Sequence, residues 1–344
     1  MFVTYAIVIV AYLVMEALMF TGSVNYLLMD LLVPLCVYSI VAIGLCLCVG
    51  YLGELSLGHA GFMCIGAFTS ATFSSLTKEF ISNEIVAFLL AFVIGTIFAG
   101  LFGFLIGIPV LRLRGDYLAI VTLAFGEIIK NIINVLFIGK DSKGIHVAIV
   151  DPDALKMEAD GKYIINGAKG ISGTPHLSNF TIGVILILIS LFIVYNLVHS
   201  RSGRAVMAIR DNRIAAESVG LNVTGYKLMA FSISAAIAGA GGVLYAHNLS
   251  TLTATPANFG YNMSIMILVF VVLGGMRSFR GSIIAAVLLT MLPEMLRGLS
   301  DYRMLIYSVV LIAMMLFNWS PKFKELRSKY AGVFKRNKKS KEAV

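Results

Sequence analysis

Apolar stretches of bilayer-spanning length recur along this chain, near residues 3–20, 26–50, 55–76, 84–110, 117–138, 178–198, 227–246, 260–276, 281–297 and 302–319. A helix of about 20 mainly apolar residues crosses roughly 30 Å of hydrocarbon, and in lipid every backbone polar group must be satisfied within the protein. The pattern predicts an all-α polytopic membrane protein with about ten transmembrane helices. With 59% hydrophobic and 13% charged residues and a mean hydropathy of +0.91 over 344 residues, no stretch remains for a large soluble catalytic domain. The third run is the least regular, because Gly50, Gly53, Gly58, Gly61 and Gly66 fall in or beside it. The first run has neither a basic leader nor a small-residue cleavage site, so it reads as a span rather than a removed signal.

Cys36, Cys46, Cys48 and Cys64 all lie inside apolar runs, where cysteine behaves as a small hydrophobe. Cys46 and Cys48 lack nearby cysteine or histidine partners, so neither a metal site nor a disulfide framework is expected. No cofactor is implied.

Lysine and arginine collect in cytoplasmic loops, which sets the expected orientation. The tail after Ser320 holds nine basic residues against Glu325 and Glu342. Counting back through ten spans, the same side receives Arg277 and Arg280, then Arg201, Arg204, Arg210 and Arg213, then Arg112 and Arg114, and an even count places the N-terminus there too. The opposite side receives residues 139–177, whose five lysines balance five acids, although long loops translocate largely regardless of charge. Alternation in "GKYIIN" suggests a short strand or hairpin at most. The basic tail suits attraction to anionic membrane lipid better than nucleic acid, since only Phe334 accompanies its densest charges.

Four polar or small-residue features stand out against this background. The first is "GELSLGHAGF", residues 53–62. Irregular backbone at membrane depth survives where it is buried in protein or lines a cavity. Two roles fit: Ser56 and His59 facing an interior path, or Gly58 and Gly61 as spacers in a tight helix contact with His59 satisfied internally. The second is "RGDYLAIVTLAFGEIIKNIIN", residues 114–134, in which Glu127, Lys130, Asn131 and Asn134 share one helical face. That face either looks into the bundle or carries a Glu127–Lys130 pair near the outer interface. Asp116 starts the helix at the cytoplasmic interface.

The third is "SGRAVMAIRDNRIAAESVGLNVTGYK", residues 202–227, where Val206, Ile209, Ile214, Val219 and Leu221 are too few and too interrupted to span. It reads as short amphipathic helices, either resting on headgroups or filling a groove on a soluble partner. The fourth is "AFSISAAIAGAGGVLYA", residues 230–246, whose Ser232, Ala236 and Ala240 recur every fourth residue, a helix-packing pattern shared by Gly103 and Gly107. There is no phosphate-cradling G-x-x-x-x-G-K-[ST] loop, no G-x-S-x-G elbow and no H-E-x-x-H pair. A membrane enzyme is disfavoured, and any ATP-derived energy has to come from outside the chain.

"YLGELSLGHAGFMCIGAF" (51–68), "LRGDYLAIVTLAFGEI" (113–128), "KGISGTP" (169–175), "GRAVMAIRDNRIAAESVGLNVTGYKLMAFSISAAIAGAGGVLYA" (203–246) and "GGMRSFRGSIIAAVLLTMLPEMLR" (274–297) strongly resemble LivM-type permeases of branched-chain amino-acid ABC importers. The similarity runs in family order over roughly residues 26–318. It implies an importer permease fold, similar to type II importers, in the plasma membrane. The implied partners are a second, homologous permease, two ATP-binding cassette subunits and an extracytoplasmic substrate-binding protein. On this reading residues 1–320 form the transmembrane permease domain, with an extracytoplasmic loop at 139–177 and a cytoplasmic coupling segment at 200–226, followed by a basic cytoplasmic tail at 321–344.

"AAESVG" reproduces the A-A-x-x-x-G core of the importer coupling motif through Ala215, Ala216 and Gly220, with Arg210 and Glu217 beside it. Ile214 stands where the motif's general form has Glu, Glu54 stands where Gln is frequent, and the 139–177 loop is longer than in short-loop members. Gly53, Ser56, Gly58, His59, Gly61 and Glu127 are the candidate substrate-pathway residues. The expected function is inward transport of branched-chain amino acids by ATP-driven alternating access. The alternatives are a permease for urea, other small amides or other amino acids, and an ion-coupled secondary transporter using Glu127 or His59 as proton carrier.

Overall fold

The computed structural model describes residues 2–22, 25–78, 81, 83–113, 115–141, 144–155, 161–299 and 302–319. The basic tail therefore lies outside the described residues. The chain divides into two compact units, residues 1–287 and 288–344.

The first unit begins with α1 (Phe2–Phe20), α2 (Tyr26–Cys46) continued by a π-helical turn (Leu47–Leu52), α3 (His59–Thr77), α4 (Glu84–Val110) and α5 (Asp116–Asn134). The strands β1 (Leu136–Asp141), β2 (Gly144–Ile149), β3 (Lys162–Asn166) and β4 (Ile171–Ser172) follow. Next come α6 (Phe180–His199), α7 (Arg201–Asp211), α8 (Arg213–Ser218), α9 (Val223–Ala246), β5 (Thr251–Leu252), α10 (Pro256–Phe259), α11 (Tyr261–Gly274) and the start of α12 (Phe279–Met295). The second unit holds the end of α12, a 3-10 turn (Leu296–Leu299) and α13 (Arg303–Trp319).

Each apolar run read from the sequence contains a helix, although residues 55–58 and 135–138 of two runs lie outside one. Among the described residues, six stretches are long and apolar enough to cross a membrane: Val3–Phe20, Leu28–Leu52, Glu84–Val110, Phe180–His199, Val223–Ala246 and Pro256–Gly274. The other four helices fall short for visible reasons. α3 starts only at His59 and is rich in Ser and Thr, α5 contains Asp116, Glu127 and Lys130, and α12 and α13 have 17 residues each.

α9 is the centre of the first unit, because its small residues admit neighbouring backbones at short range. A Cβ added to Gly239 would lie 2.2 Å from the Ala99 Cβ, and one added to Gly103 would lie 2.4 Å from the Ala235 Cβ. With Gly107 against Phe231 and Gly95 against Val243, these contacts run α4 antiparallel to α9. α3 runs parallel to α9, tied at both ends by His–Ser pairs: His59 to Ser234 at 2.7 Å and Ser74 to His247 at 2.8 Å. α5 runs parallel to α3, with Gly58 against Thr122 and Gly61 against Gly126.

This arrangement gives the first unit two distinct ends. One carries α7, α8 and the π-turn. The other carries the strands, where the Asn134 side-chain amide donates to the Ala254 carbonyl at 3.0 Å and β4 pairs with β5 through Ile171↔Leu252.

The expectation of at most a short strand or hairpin in 139–177, within an otherwise all-α chain, is corrected here. β1 is central in an antiparallel sheet of order β2-β1-β3, with Leu136↔Ile149 and Lys140↔Lys162 in register and an irregularity between Ile138 and Gly139. The β-branched residues Ile138, Ile145, Val147, Ile149, Ile164 and Ile165 favour that state. The run read as a span to residue 138 ends as a helix at Asn134, and β1 begins two residues later.

Candidate functional site

The Gly-broken stretch lies where α2 stops being α-helical. After Cys46 the backbone widens into the π-turn, a form that concentrates at functional sites and hinges. It ends at Gly53, whose φ of +80° is left-handed, and the Gly53 and Glu54 N–H groups both return to the Cys48 carbonyl. Residues 53–58 have no regular structure, so their backbone groups need partners from elsewhere. Thr122 Oγ1 of α5 accepts from Leu57 N at 3.0 Å, Ser56 Oγ accepts from Gly58 N at 3.4 Å, and Ser264 Oγ of α11 accepts from Ala60 N at 3.3 Å.

His59 opens α3 and is almost completely buried, as are Ser56 and Ser234. Ser234 Oγ donates to the Gly44 carbonyl at 2.5 Å, which uses its only proton. It therefore accepts from His59 Nε2, at 2.7 Å, and this assigns the proton to Nε2. Nδ1 is then the acceptor for the Ser56 hydroxyl at 3.3 Å. The chain Ser56–His59–Ser234–Gly44 ties the break to α9 and α2, and both ring nitrogens are engaged. Of the two roles left open for this stretch, helix contact with internal satisfaction of His59 describes the conformation seen here.

Glu127 and Lys130 form an ion pair at 2.5 Å with side-chain exposures of 24% and 8%. The other Glu127 oxygen accepts from Tyr261 N at 2.7 Å, so the carboxylate also caps the N-terminus of α11, whose Gly260 cap position has no side chain. Asn134 joins this face through Ala254, whereas Asn131 is exposed and does not. Replacing Glu127 with Gln keeps an acceptor for Tyr261 but strands the Lys130 ammonium. We expect a loss of about 2 kcal/mol, largely recovered in Glu127→Gln/Lys130→Met and read as thermal stability in detergent. A proton-carrying Glu127 instead requires both variants to lose transport while stability is unchanged.

The 200–226 segment folds as two short helices because three side chains cap successive starts. Ser200 Oγ accepts from Gly203 N at 3.1 Å, Asn212 Oδ1 from Ala215 N at 3.1 Å, and Asn222 Oδ1 from Gly225 N at 3.0 Å. α8 ends in a Schellman motif: Leu221 N bonds to Ala216 O at 3.1 Å and Gly220 N to Glu217 O at 3.0 Å, with Gly220 at φ +83°. Two of the three matching motif positions thus have separate duties. Ala216 is buried with Ile209 and Val223, and Gly220 terminates the helix.

Ala215, Glu217 and Gly220 are exposed, and Arg213 pairs with Glu217 at 2.8 Å. Ile214 and Val219 are 79% and 75% exposed, so α8 presents an apolar surface at this end of the unit. Arg210 turns the other way. Its Nη1 donates to the Gly50 carbonyl at 3.0 Å, and its Nη2 pairs with Asp211 at 2.8 Å. Glu54 pairs with Lys227 at the start of α9. A cleft of ≈ 410 Å³ lies between α7–α8 and the π-turn, lined by residues that include Leu52, Glu54, Arg210, Arg213, Glu217 and Lys227.

A helical bundle with several membrane-spanning segments, a broken span and a short capped helix pair at one end defines a multi-pass membrane permease. The chain belongs to the family described as branched-chain amino acid transport system / permease component, whose profile matches residues 27–318. It is 36% identical over 310 residues to the high-affinity branched-chain amino acid transport system permease protein LivM of Salmonella typhimurium, covering 87% of this chain and 69% of that protein. It is also 36% identical over 295 residues to LivM of Escherichia coli, covering 83% of this chain and 67% of that one. A nucleoside ABC transporter permease protein, NupC of Lactococcus lactis, is 25% identical over 210 residues, covering 58% of this chain and 60% of that protein. No solved structure is significantly similar to the chain.

Proposed function

We propose that this chain is the permease subunit of an ATP-driven importer that moves branched-chain amino acids inward. The observation that carries the reading is the α7–α8 pair: a capped, folded unit whose Ile214 and Val219 face outward, uncovered by the described residues. Apolar anchors ringed by Arg213 and Glu217 suit the groove of a soluble ATPase. The complex comprises two such ATPases, a second homologous permease and an extracytoplasmic binding protein.

In this assembly the ten helices cross the plasma membrane alternately. α7–α8 and both termini lie in the cytoplasm, and the 139–177 loop with its strands meets the binding protein outside. The arginine-rich loops and tail support that orientation. Gly53, Ser56, Gly58, His59, Gly61 and Glu127 sit along the path that opens between permeases when the close contacts of α3 with α5 and α9 part. The intact hydrogen bonding around His59 favours this over an ion-coupled carrier, because a proton shuttled there has no free acceptor in the observed network.

The relative at 25% identity gives nucleosides as a second cargo reading. Labelled leucine uptake by cells carrying the full set of subunits, competed with isoleucine, valine, urea or adenosine, separates the two. Branched-chain amino acids are expected to compete. Competition by adenosine alone would reassign the cargo.

A further inference from the structure

Three elements grip the π-turn. From α7, Arg210 donates to the Gly50 carbonyl, and its stem lies so close to Gly53 that a Cβ there would approach Arg210 Cγ to 2.5 Å. From the turn between α11 and α12, the Met276 carbonyl leaves no room for a Cβ on Gly50, which would come within 1.6 Å. On the same side the Tyr51 hydroxyl donates to the Arg277 carbonyl at 3.2 Å, and the Tyr51 ring stacks on Phe279 at 4.9 Å. From α9, Lys227 pairs with Glu54, the two side chains being 11% and 13% exposed. Two residues beyond Glu54 begins the buried chain Ser56–His59–Ser234–Gly44.

We propose that Arg210, Glu54 and Lys227 are positioning residues for transport. They make the π-turn and residues 53–58 a stiff link, so that displacement of α7–α8 is passed to the His59 network instead of being absorbed by a slack loop. An irregular segment transmits motion only if both of its ends are held. Here the Arg210–Gly50 bond is charge-assisted and the Glu54–Lys227 pair is largely dry, which makes both far less compliant than solvated contacts. A π-turn supplies the second requirement, a place where a helix can change its winding. The inference rests on the reading of α7–α8 as the ATPase-docking pair.

The test uses the complete complex in proteoliposomes, measuring ATP hydrolysis and labelled leucine uptake on the same sample. Arg210→Ala is expected to assemble and to hydrolyse ATP while leucine moved per ATP falls at least tenfold. Arg210→Lys, which keeps a donor for Gly50, restores most of that ratio. Glu54→Lys lowers the ratio similarly, and Glu54→Lys/Lys227→Glu returns it to within threefold of the parent. An unchanged ratio in Arg210→Ala, or parallel loss of hydrolysis and uptake there, overturns the proposal. If Arg210→Ala does not accumulate, the charge swap decides: no recovery in the double variant overturns it. Failure of the underlying docking reading appears elsewhere, as undiminished uptake in Gly220→Arg.

Discussion

Gly220→Arg is expected to abolish leucine uptake while the chain still inserts and accumulates in the membrane. Gly220 is the left-handed residue that closes α8, and an L side chain there costs about 1–2 kcal/mol. That penalty is local, because nothing lies within 4 Å of a Cβ at this position and the fold has space for it. The larger effect is on association: a long cation now stands beside Ile214 and Val219, on the surface proposed to enter the ATPase groove. Weakening that contact by about 3 kcal/mol lowers its association constant more than a hundredfold. Co-purification of the ATPases with the variant should fail. Gly220→Asn, which tolerates the same backbone region, is the control and should keep uptake within about threefold of the parent. Full uptake with Gly220→Arg would remove α8 from the docking surface.

Gly239→Leu acts on a different link, the assembly of the bundle itself. A Cβ at Gly239 would come within 2.2 Å of the Ala99 Cβ and 3.5 Å of the Gly95 carbonyl oxygen, both on α4. Helices packed through small residues have no flexible side chain to yield, so α4 must move away from α9. Overpacking in well-filled cores typically costs about 1–3 kcal/mol, and here the loss should reach or exceed the upper figure. The measurement is the amount of folded protein extracted in mild detergent and its melting temperature. Gly239→Ala should show a smaller loss of the same sign. Wild-type stability in Gly239→Leu would mean that the α4–α9 contact is looser than described.

Much of this architecture was legible before the structure. Helix positions followed from lipid-length apolar runs, since a backbone in hydrocarbon has little choice but to be helical. The break after residue 52 was signalled by its glycines, and the small-residue periodicity of 230–246 found its counterpart in the contacts with α4. The short helices of 200–226 could have been bounded more sharply, because Ser200, Asn212 and Asn222 are N-cap residues visible in the sequence.

Other features were beyond the sequence for physical reasons. The Glu54–Lys227 pair joins residues 173 positions apart, and Arg210, beside the AAESVG motif, reaches back 160 positions to the Gly50 carbonyl. No local periodicity encodes such contacts. The sheet over β1, β2 and β3 escapes a sequence reading because β1 is central and its partners lie on either side of it in space, while β3 is separated from β2 by a 3-10 turn. Asn131 shares a helical face with Glu127 by spacing alone, yet the partners of that face, Tyr261 and Ala254, reach only the two residues that flank it.

On the proposed reading, work reaches this permease from separate ATPases through α7–α8. Its most direct measurement is labelled leucine accumulation in sealed proteoliposomes containing this chain, with and without the companion permease, ATPases, binding protein and internal ATP. Accumulation is expected only in the complete, ATP-loaded vesicles, and a proton gradient alone should drive none. Uphill leucine uptake by this chain alone under a proton gradient would contradict the account.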